Sequence, residues 1–117
     1  MVRRILAGVL VAGALIGAQA CHNEEPHPVR VGTDRVTVIN LTDTAWRDVD
    51  VWLNDHYRVQ QRDLAPGQRL EIPLGVFVAA FGQKFDPKKQ VPSGIEVDAV
   101  AADGKPVKIV WGKGRRR

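Results

Sequence analysis

The first apolar stretch of the chain is continuous rather than periodic. Residues 5–18 are apolar or small throughout, and the two basic residues Arg3 and Arg4 precede them. The stretch is shorter than the roughly 20 residues that a membrane-spanning helix needs. Two small residues, Ala18 and Ala20, then stand where a signal peptidase reads the chain. This pattern predicts an export signal peptide over residues 1–20.

From residue 29 onward the apolar positions alternate with polar ones, which is typical of half-buried β-strands. Val49, Val51 and Leu53 follow this alternation, and turn residues such as Gly67 separate the segments. Pro73 cannot donate a ladder hydrogen bond, so the strand that contains it should lie at a sheet edge. Short strands with frequent turns predict an all-β fold, either a sandwich or a barrel. Strand-like segments occur at residues 36–41, 45–53, 57–59, 70–74, 95–99 and 107–111.

The register of the last hairpin follows from the chemistry of the facing residues. A two-residue turn at Asp103-Gly104 would place Ile109 opposite Asp98, which sets an apolar residue against an acid. A three-residue loop over 102–104, with Gly104 in the left-handed conformation, shifts the pairing by one residue. Apolar residues then face one another on the inner side, and opposite charges meet on the outer side. The predicted pairs are Ala99 with Val107, Val97 with Ile109, Ile95 with Trp111, and Asp98 with Lys108.

Residues 75–85 are the least regular part of this domain. Phe77, Phe81 and Phe85 recur at helical spacing, but Gly75 and Gly82 interrupt the pattern. We therefore predict a loop or a single helical turn whose phenylalanines fill the core. Neither this segment nor the rest of the chain contains a cofactor-binding motif, so no cofactor is expected.

The chain contains a single cysteine, Cys21, directly after the predicted signal peptide. A lone cysteine in an exported protein needs an intermolecular partner or another use for its thiol. The sequence Ala18-Gln19-Ala20-Cys21 resembles the lipobox of bacterial lipoproteins, in which the cysteine is acylated and becomes the mature N-terminus. The resemblance implies a lipid anchor in the cell envelope, whereas ordinary cleavage would leave a free N-terminal cysteine. By the same resemblance, His22 in place of an aspartate favours the outer membrane, on its periplasmic face.

Residues 21–28 are polar, include two prolines, and are predicted to be a tether between the lipid and a domain at 29–111. The tether contains residues of types that bind metals, but a structural zinc site needs four ligands on a constrained frame. A solvated linker is therefore favoured over a metal site, and His22 and His27 are only weak candidate ligands. The residues of ligand type are Cys21, His22, Glu24, Glu25 and His27.

One face of the strand at 45–53 combines aromatic rings, carboxylates and an amide. A sugar-binding platform or a protein contact surface uses such groups, because tryptophan supplies both apolar area and an N–H donor. The alternative is that Trp46 or Trp52 packs beneath a loop or the tether. The residues predicted to form this possible binding surface are Trp46, Asp48, Asp50, Trp52 and Asn54.

The formal charge of +4 and the pI near 9.6 do not describe a basic domain. Arg3 and Arg4 belong to the signal peptide, and other basic residues lie in a tail at 112–117, so acids outnumber bases in residues 21–111. Beside a membrane such a tail would be attracted to anionic lipid, although it could also be a disordered solubilising end. No aromatic residues alternate with its charges, which argues against nucleic acid as a partner. The candidate contact residues are Lys113, Arg115, Arg116 and Arg117.

Catalytic residue types are scarce in the chain. His56 lies beside Asp55 and Tyr57, but a general base also needs a pocket and a partner nucleophile or metal. The only serine, Ser93, lies in a turn sequence without a nucleophile-elbow pattern. We therefore predict that the protein is not an enzyme and that Asn54, Asp55 and His56 serve as turn residues that tolerate unusual backbone angles.

A spaced set of turn and core residues runs through the domain. It consists of Asn40, Thr42, Trp46, Val49, Val51, Asn54, Tyr57, residues 64–67, Phe77, Phe81, Gly82 and Phe85. This set resembles small bacterial exported proteins with an immunoglobulin- or fibronectin-like sandwich. The resemblance implies a single small antiparallel β-sandwich of about seven strands, and no activity.

We predict a membrane-anchored cell-envelope lipoprotein that serves as a non-catalytic binding or structural module, with an envelope protein or a glycan as partner. The alternatives are a periplasmic metal or small-ligand carrier that uses the tether, and an accessory subunit of an envelope complex.

Overall fold

Seven short β-strands account for most of the regular structure in the computed structural model, which describes residues 26–113. They form two antiparallel sheets, and this confirms the predicted small antiparallel β-sandwich. The predictions for the signal peptide, for Cys21, His22 and the two tether glutamates, and for the arginines of the tail fall outside the described residues. The strands are β1 (Val29–Val31), β2 (Arg35–Ile39), β3 (Trp46–Leu53), β4 (Tyr57–Leu64), β5 (Arg69–Pro73), β6 (Gly94–Ala101) and β7 (Pro106–Gly112).

The two sheets enclose one hydrophobic core. The three-stranded sheet has the order β1-β2-β5, and the four-stranded sheet has the order β4-β3-β6-β7. Successive side chains of a strand point to opposite faces, so each alternating segment supplies one apolar row to the space between the sheets. Val36 and Val38 come from one sheet and Val49, Val51 and Val97 from the other, and all are fully buried. As expected for a strand that contains Pro73, β5 lies at an edge of its sheet.

The hairpin of β6 and β7 has the predicted register. Ala99 pairs with Val107, and Asp98 lies opposite Lys108 on the outer face. Gly104 has a φ of 88°, a left-handed conformation that glycine adopts without the steric penalty of a side chain. The carboxylate of Asp103 accepts a hydrogen bond from the backbone N–H of Lys105 at 3.0 Å. Side-chain chemistry alone was therefore sufficient to select a three-residue loop.

Two of the three phenylalanines between β5 and β6 fill the core as predicted, and the third does not. Phe77 and Phe85 are buried, and the ring of Phe85 meets that of Tyr57 edge to face at 5.3 Å. Phe81 is 92% exposed. Gly82, with a φ of 86°, helps to form a tight turn that leaves Phe81 at its tip. The prediction for Phe81 is wrong because this turn breaks the spacing that would have aligned the three rings.

The loops are divided between two ends of the sandwich. At the tether end, the carbonyl of Pro28 accepts a hydrogen bond from the N–H of Ile39 at 2.8 Å, and the loops 40–45, 65–68 and 102–105 lie there. At the tail end, the N–H of Lys113 donates to the carbonyl of Ser93 at 3.0 Å, beside the loops 32–34, 54–56 and 74–93. The chain therefore enters the domain at one end and leaves it at the other. Within residues 26–113 no helix is long and apolar enough to cross a membrane.

Candidate binding surface

Trp46 does not lie on the predicted binding surface. The pairing of β3 with β6 shifts between Arg47 and Asp50, and Asp48 has a φ of 51°. Such a bulge adds one residue to β3, and the alternation of its side chains slips by one position. Trp46 consequently points into the core on the same side as Val49, and it is only 1% exposed. The assignment of Trp46 to one face with Asp50 and Trp52 is thus wrong.

Asn54 serves the fold of the tail end. Its Oδ1 accepts hydrogen bonds from the backbone N–H of Ser93 at 2.6 Å and from that of Gly94 at 3.2 Å. Its Nδ2 donates to the carbonyl of Val91 at 2.9 Å. Asn54 and Asp55 have φ values of 50° and 70°, which confirms that this turn uses unusual backbone angles. The side chain of Asn54 is therefore engaged by residues 91–94.

The remaining surface is centred on Trp52 and Arg58, a residue that sequence reasoning missed. The two residues are partners in the β3–β4 ladder, and the guanidinium of Arg58 lies over the Trp52 ring, 5.0 Å from its centroid. Arg58 also donates from Nε and Nη2 to Oδ1 of Asp50, at 3.2 and 3.0 Å. A cation over an indole ring is attracted by the quadrupole of the ring. The ring and the carboxylate together hold the guanidinium in one place.

The acidic side of this surface continues onto β6. Glu96 lies opposite Trp52 and Asp98 lies opposite Asp50. Glu96 is only 2% exposed although it is on the outer face, and Nζ of Lys108 lies 4.0 Å from its carboxylate. The outer face of the four-stranded sheet therefore combines one aromatic ring with paired charges of both signs.

A pocket of about 290 Å³ opens beside Trp52 and Arg58. Its floor and one side come from β3 and β4, with His56 and Gln60 adding an imidazole and an amide. The opposite side is the segment 78–80, which is held against β4 because Arg58 and Val78 exchange two backbone hydrogen bonds, at 3.0 and 3.3 Å. An aromatic face with a few polar groups at its rim is the usual character of a small ligand site.

The candidate metal ligands and the tail are only partly described. Nδ1 of His27 accepts a hydrogen bond from the N–H of Val29 at 3.0 Å, so this nitrogen is already used by the backbone. Residues 26–113 contain no cluster of three or more histidine, cysteine or acidic side chains that could hold a metal ion. Lys113 is exposed at the tail end.

The position of Arg58 could have been found from the sequence. The turn at 54–56 joins two strands, and an antiparallel pairing that begins with Leu53 opposite Tyr57 sets Trp52 opposite Arg58. By contrast, no sequence signal indicated that the segment 78–80 would return to β4. Comparisons of the chain with models of protein families, with curated proteins and with solved structures find no match.

Proposed function

We propose that the protein is an exported, lipid-anchored module of the bacterial cell envelope that binds a partner through the pocket beside Trp52 and Arg58. Lipid anchoring is supported by the single cysteine at the position that follows the signal peptide. Several acyl chains on one cysteine would give stable anchoring, where a single chain gives marginal binding. His22 favours the outer membrane, facing the periplasm, as its location.

The observation that carries the binding role is the fixed position of the Arg58 guanidinium over Trp52 at the rim of a pocket. A binding site gains affinity when its groups are already ordered before the ligand arrives, because less freedom is lost on association. The pocket is at the small end of the usual range of roughly 300–1,000 Å³. It would suit one sugar ring or one protruding side chain, which is consistent with a glycan or an envelope protein as partner.

Metabolic labelling tests the anchor. Cells that produce the protein and receive a radioactive fatty acid should yield a labelled chain, because acylation would occur at Cys21. The matched Cys21→Ser variant should carry no label, since it lacks the thiol. Recovery of the unaltered protein as a soluble, unlabelled chain would contradict lipid anchoring. It would have no bearing on the proposed binding site.

Replacement of Trp52 tests the binding site. If the partner is a glycan, purified peptidoglycan should no longer capture the Trp52→Ala variant. If the partner is an envelope protein, the variant should no longer crosslink to it from a photoreactive residue at position 60. Its thermal unfolding should change little, because the Trp52 side chain is half-buried on the outer face rather than in the core. Arg69→Ala, an exposed change on the other sheet, is the control and should bind normally. A large loss of stability in Trp52→Ala would instead assign the ring a structural role.

A further inference from the structure

Three apolar side chains are exposed at the tail end of the sandwich. Phe81 is 92% exposed, Val91 is 74% exposed and Val76 is 49% exposed. Large apolar side chains exposed at one end of a domain are unfavourable in water and are a feature of interaction sites. Two other exposed apolar residues lie elsewhere, Leu41 at the tether end and Val110 on β7.

Phe81 and Val91 both lie in the loop 74–93, at two places where it meets the turn at 54–56. Phe81 lines a pocket of about 290 Å³ together with His56 and Tyr57, and its loop is closed by a 2.8 Å hydrogen bond from the N–H of Ala79 to the carbonyl of Gln83. The carbonyl of Val91 accepts the hydrogen bond from Asn54. Both side chains therefore belong to one loop, 74–93, which contacts the turn at 54–56.

The loops of the tail end, together with Lys113, contain four lysines and three aspartates, Asp34, Asp55 and Asp86. Lys84, Lys88, Lys89 and Lys113 are all exposed, and none of them forms an ion pair with another described residue. Two of the carboxylates at this end are engaged locally. Asp34 lies 3.4 Å from Arg35, and Asp86 accepts a hydrogen bond from the backbone N–H of Lys88 at 2.9 Å. The lysines are thus available to an anionic partner.

We propose that the tail end docks onto an anionic phospholipid bilayer. Phe81 and Val91 enter the interfacial layer, and the lysines contact the lipid headgroups. Apolar side chains combined with basic ones are the pattern by which protein surfaces bind at the membrane interface. Exposed side chains at separate points of a loop suit a deformable lipid surface, whereas a protein partner would need a matching cavity for each. The inference is independent of acylation, because it concerns the end of the domain opposite to the tether.

Vesicle sedimentation tests the proposal. A chain that begins at residue 21 and carries Cys21→Ser lacks both the signal peptide and the acylation site, yet it retains every core residue of the described domain. It should sediment with vesicles of phosphatidylcholine and phosphatidylglycerol and remain in solution with phosphatidylcholine alone. The Phe81→Ser change should lower the partition coefficient about tenfold. Leu41→Ser, which alters an exposed apolar residue at the other end, should leave it unchanged.

Charge variants complete the test. Lys88→Gln and Lys89→Gln should each weaken binding about fivefold, while Lys105→Gln, at the tether end, should not. A thermal melt of each variant verifies that the fold is intact. Failure to bind anionic vesicles would overturn the proposal, and so would equal losses for Phe81→Ser and Leu41→Ser. Binding that survives Phe81→Ser but disappears in a chain ending at Lys113 would also overturn it, since it would assign the contact to the basic tail.

Discussion

The Trp46→Ala variant should lose about 3–5 kcal/mol of unfolding free energy, as expected for deletion of a buried aromatic side chain. The indole is 1% exposed and is part of the core cluster that both sheets share. In the β-ladders it stands opposite Leu64 on one side and Ala101 on the other. Small side chains cannot fill the space that it occupies, and the strands cannot collapse without breaking those ladders. Equilibrium denaturation by urea measures the loss.

The Trp46→Phe variant is the matched control. Nε1 of Trp46 is buried and has no hydrogen-bond acceptor among the described residues, so the indole N–H lowers the stability of the native state. Phenylalanine keeps much of the aromatic volume and removes this donor, which should limit the loss to about 1 kcal/mol. An equal loss of unfolding free energy in Trp46→Phe and Trp46→Ala would contradict this prediction, because it would show that the indole N–H has a hydrogen-bond acceptor in solution.

The Asn40→Ala variant should lose about 2–3 kcal/mol, because a fully buried amide would leave several backbone groups without partners. Nδ2 of Asn40 donates to the carbonyl of Thr44 at 2.8 Å and to that of Leu64 at 3.0 Å. Its Oδ1 accepts from the N–H of Thr42 at 3.0 Å. The side chain thus joins the loop at 40–45 to the end of β4, and water cannot replace it at this depth. Equilibrium denaturation by urea measures this loss of unfolding free energy.

Two further variants test whether the burial of the Asn40 side chain, and not only its number of hydrogen bonds, causes the loss of stability. Asn40→Asp retains the acceptor for Thr42 but turns a carboxylate toward two carbonyl oxygens, so it should cost at least as much as Asn40→Ala. Asn54→Gly removes a side chain with a similar number of hydrogen bonds, yet Asn54 is only half-buried, and glycine accepts its positive φ. That change should cost about 1 kcal/mol. Equal losses at Asn40 and Asn54 would show that burial is not what matters.

The proposed site and the proposed membrane contact rest on different residues, so they can fail independently. Trp52 and Arg58 belong to the outer face of the four-stranded sheet, and Phe81 and Val91 belong to the loops of the tail end. His56 and the segment 79–80 border pockets that involve both regions. Because the two pockets share these lining residues, the combined Trp52 and Phe81 variant tests whether the two surfaces act independently.

Two residues of the predicted binding surface, Trp46 and Asn54, have structural roles instead, because of contacts with segments distant along the chain. Trp46 and Trp52 are six positions apart and should share a face of a regular strand, but the bulge at Asp48 separates them. The amide of Asn54 is bound by a loop almost 40 residues later. Arg58 lies opposite Trp52 because the turn at 54–56 pairs β3 with β4, and Asp50 holds its guanidinium there. Each of these outcomes depends on what the partner strand or loop supplies.

The features that could be predicted from the sequence depend on residues that are close together in the chain. Period-two alternation determined which side chains of β6 and β7, and of β3 after its bulge, face the other sheet. Opposing charges and a suitably placed Gly104 determined the register of the last hairpin. These features require only neighbouring residues to agree. Only contacts within the folded chain place Trp46 in the core, leave Phe81 exposed and bring the segment 78–80 against β4. They also set the two ends of the described chain at opposite ends of the sandwich. These positions depend on a backbone bulge and on contacts between segments that are far apart in the chain. The free energies of such contacts cannot be read from a local sequence pattern.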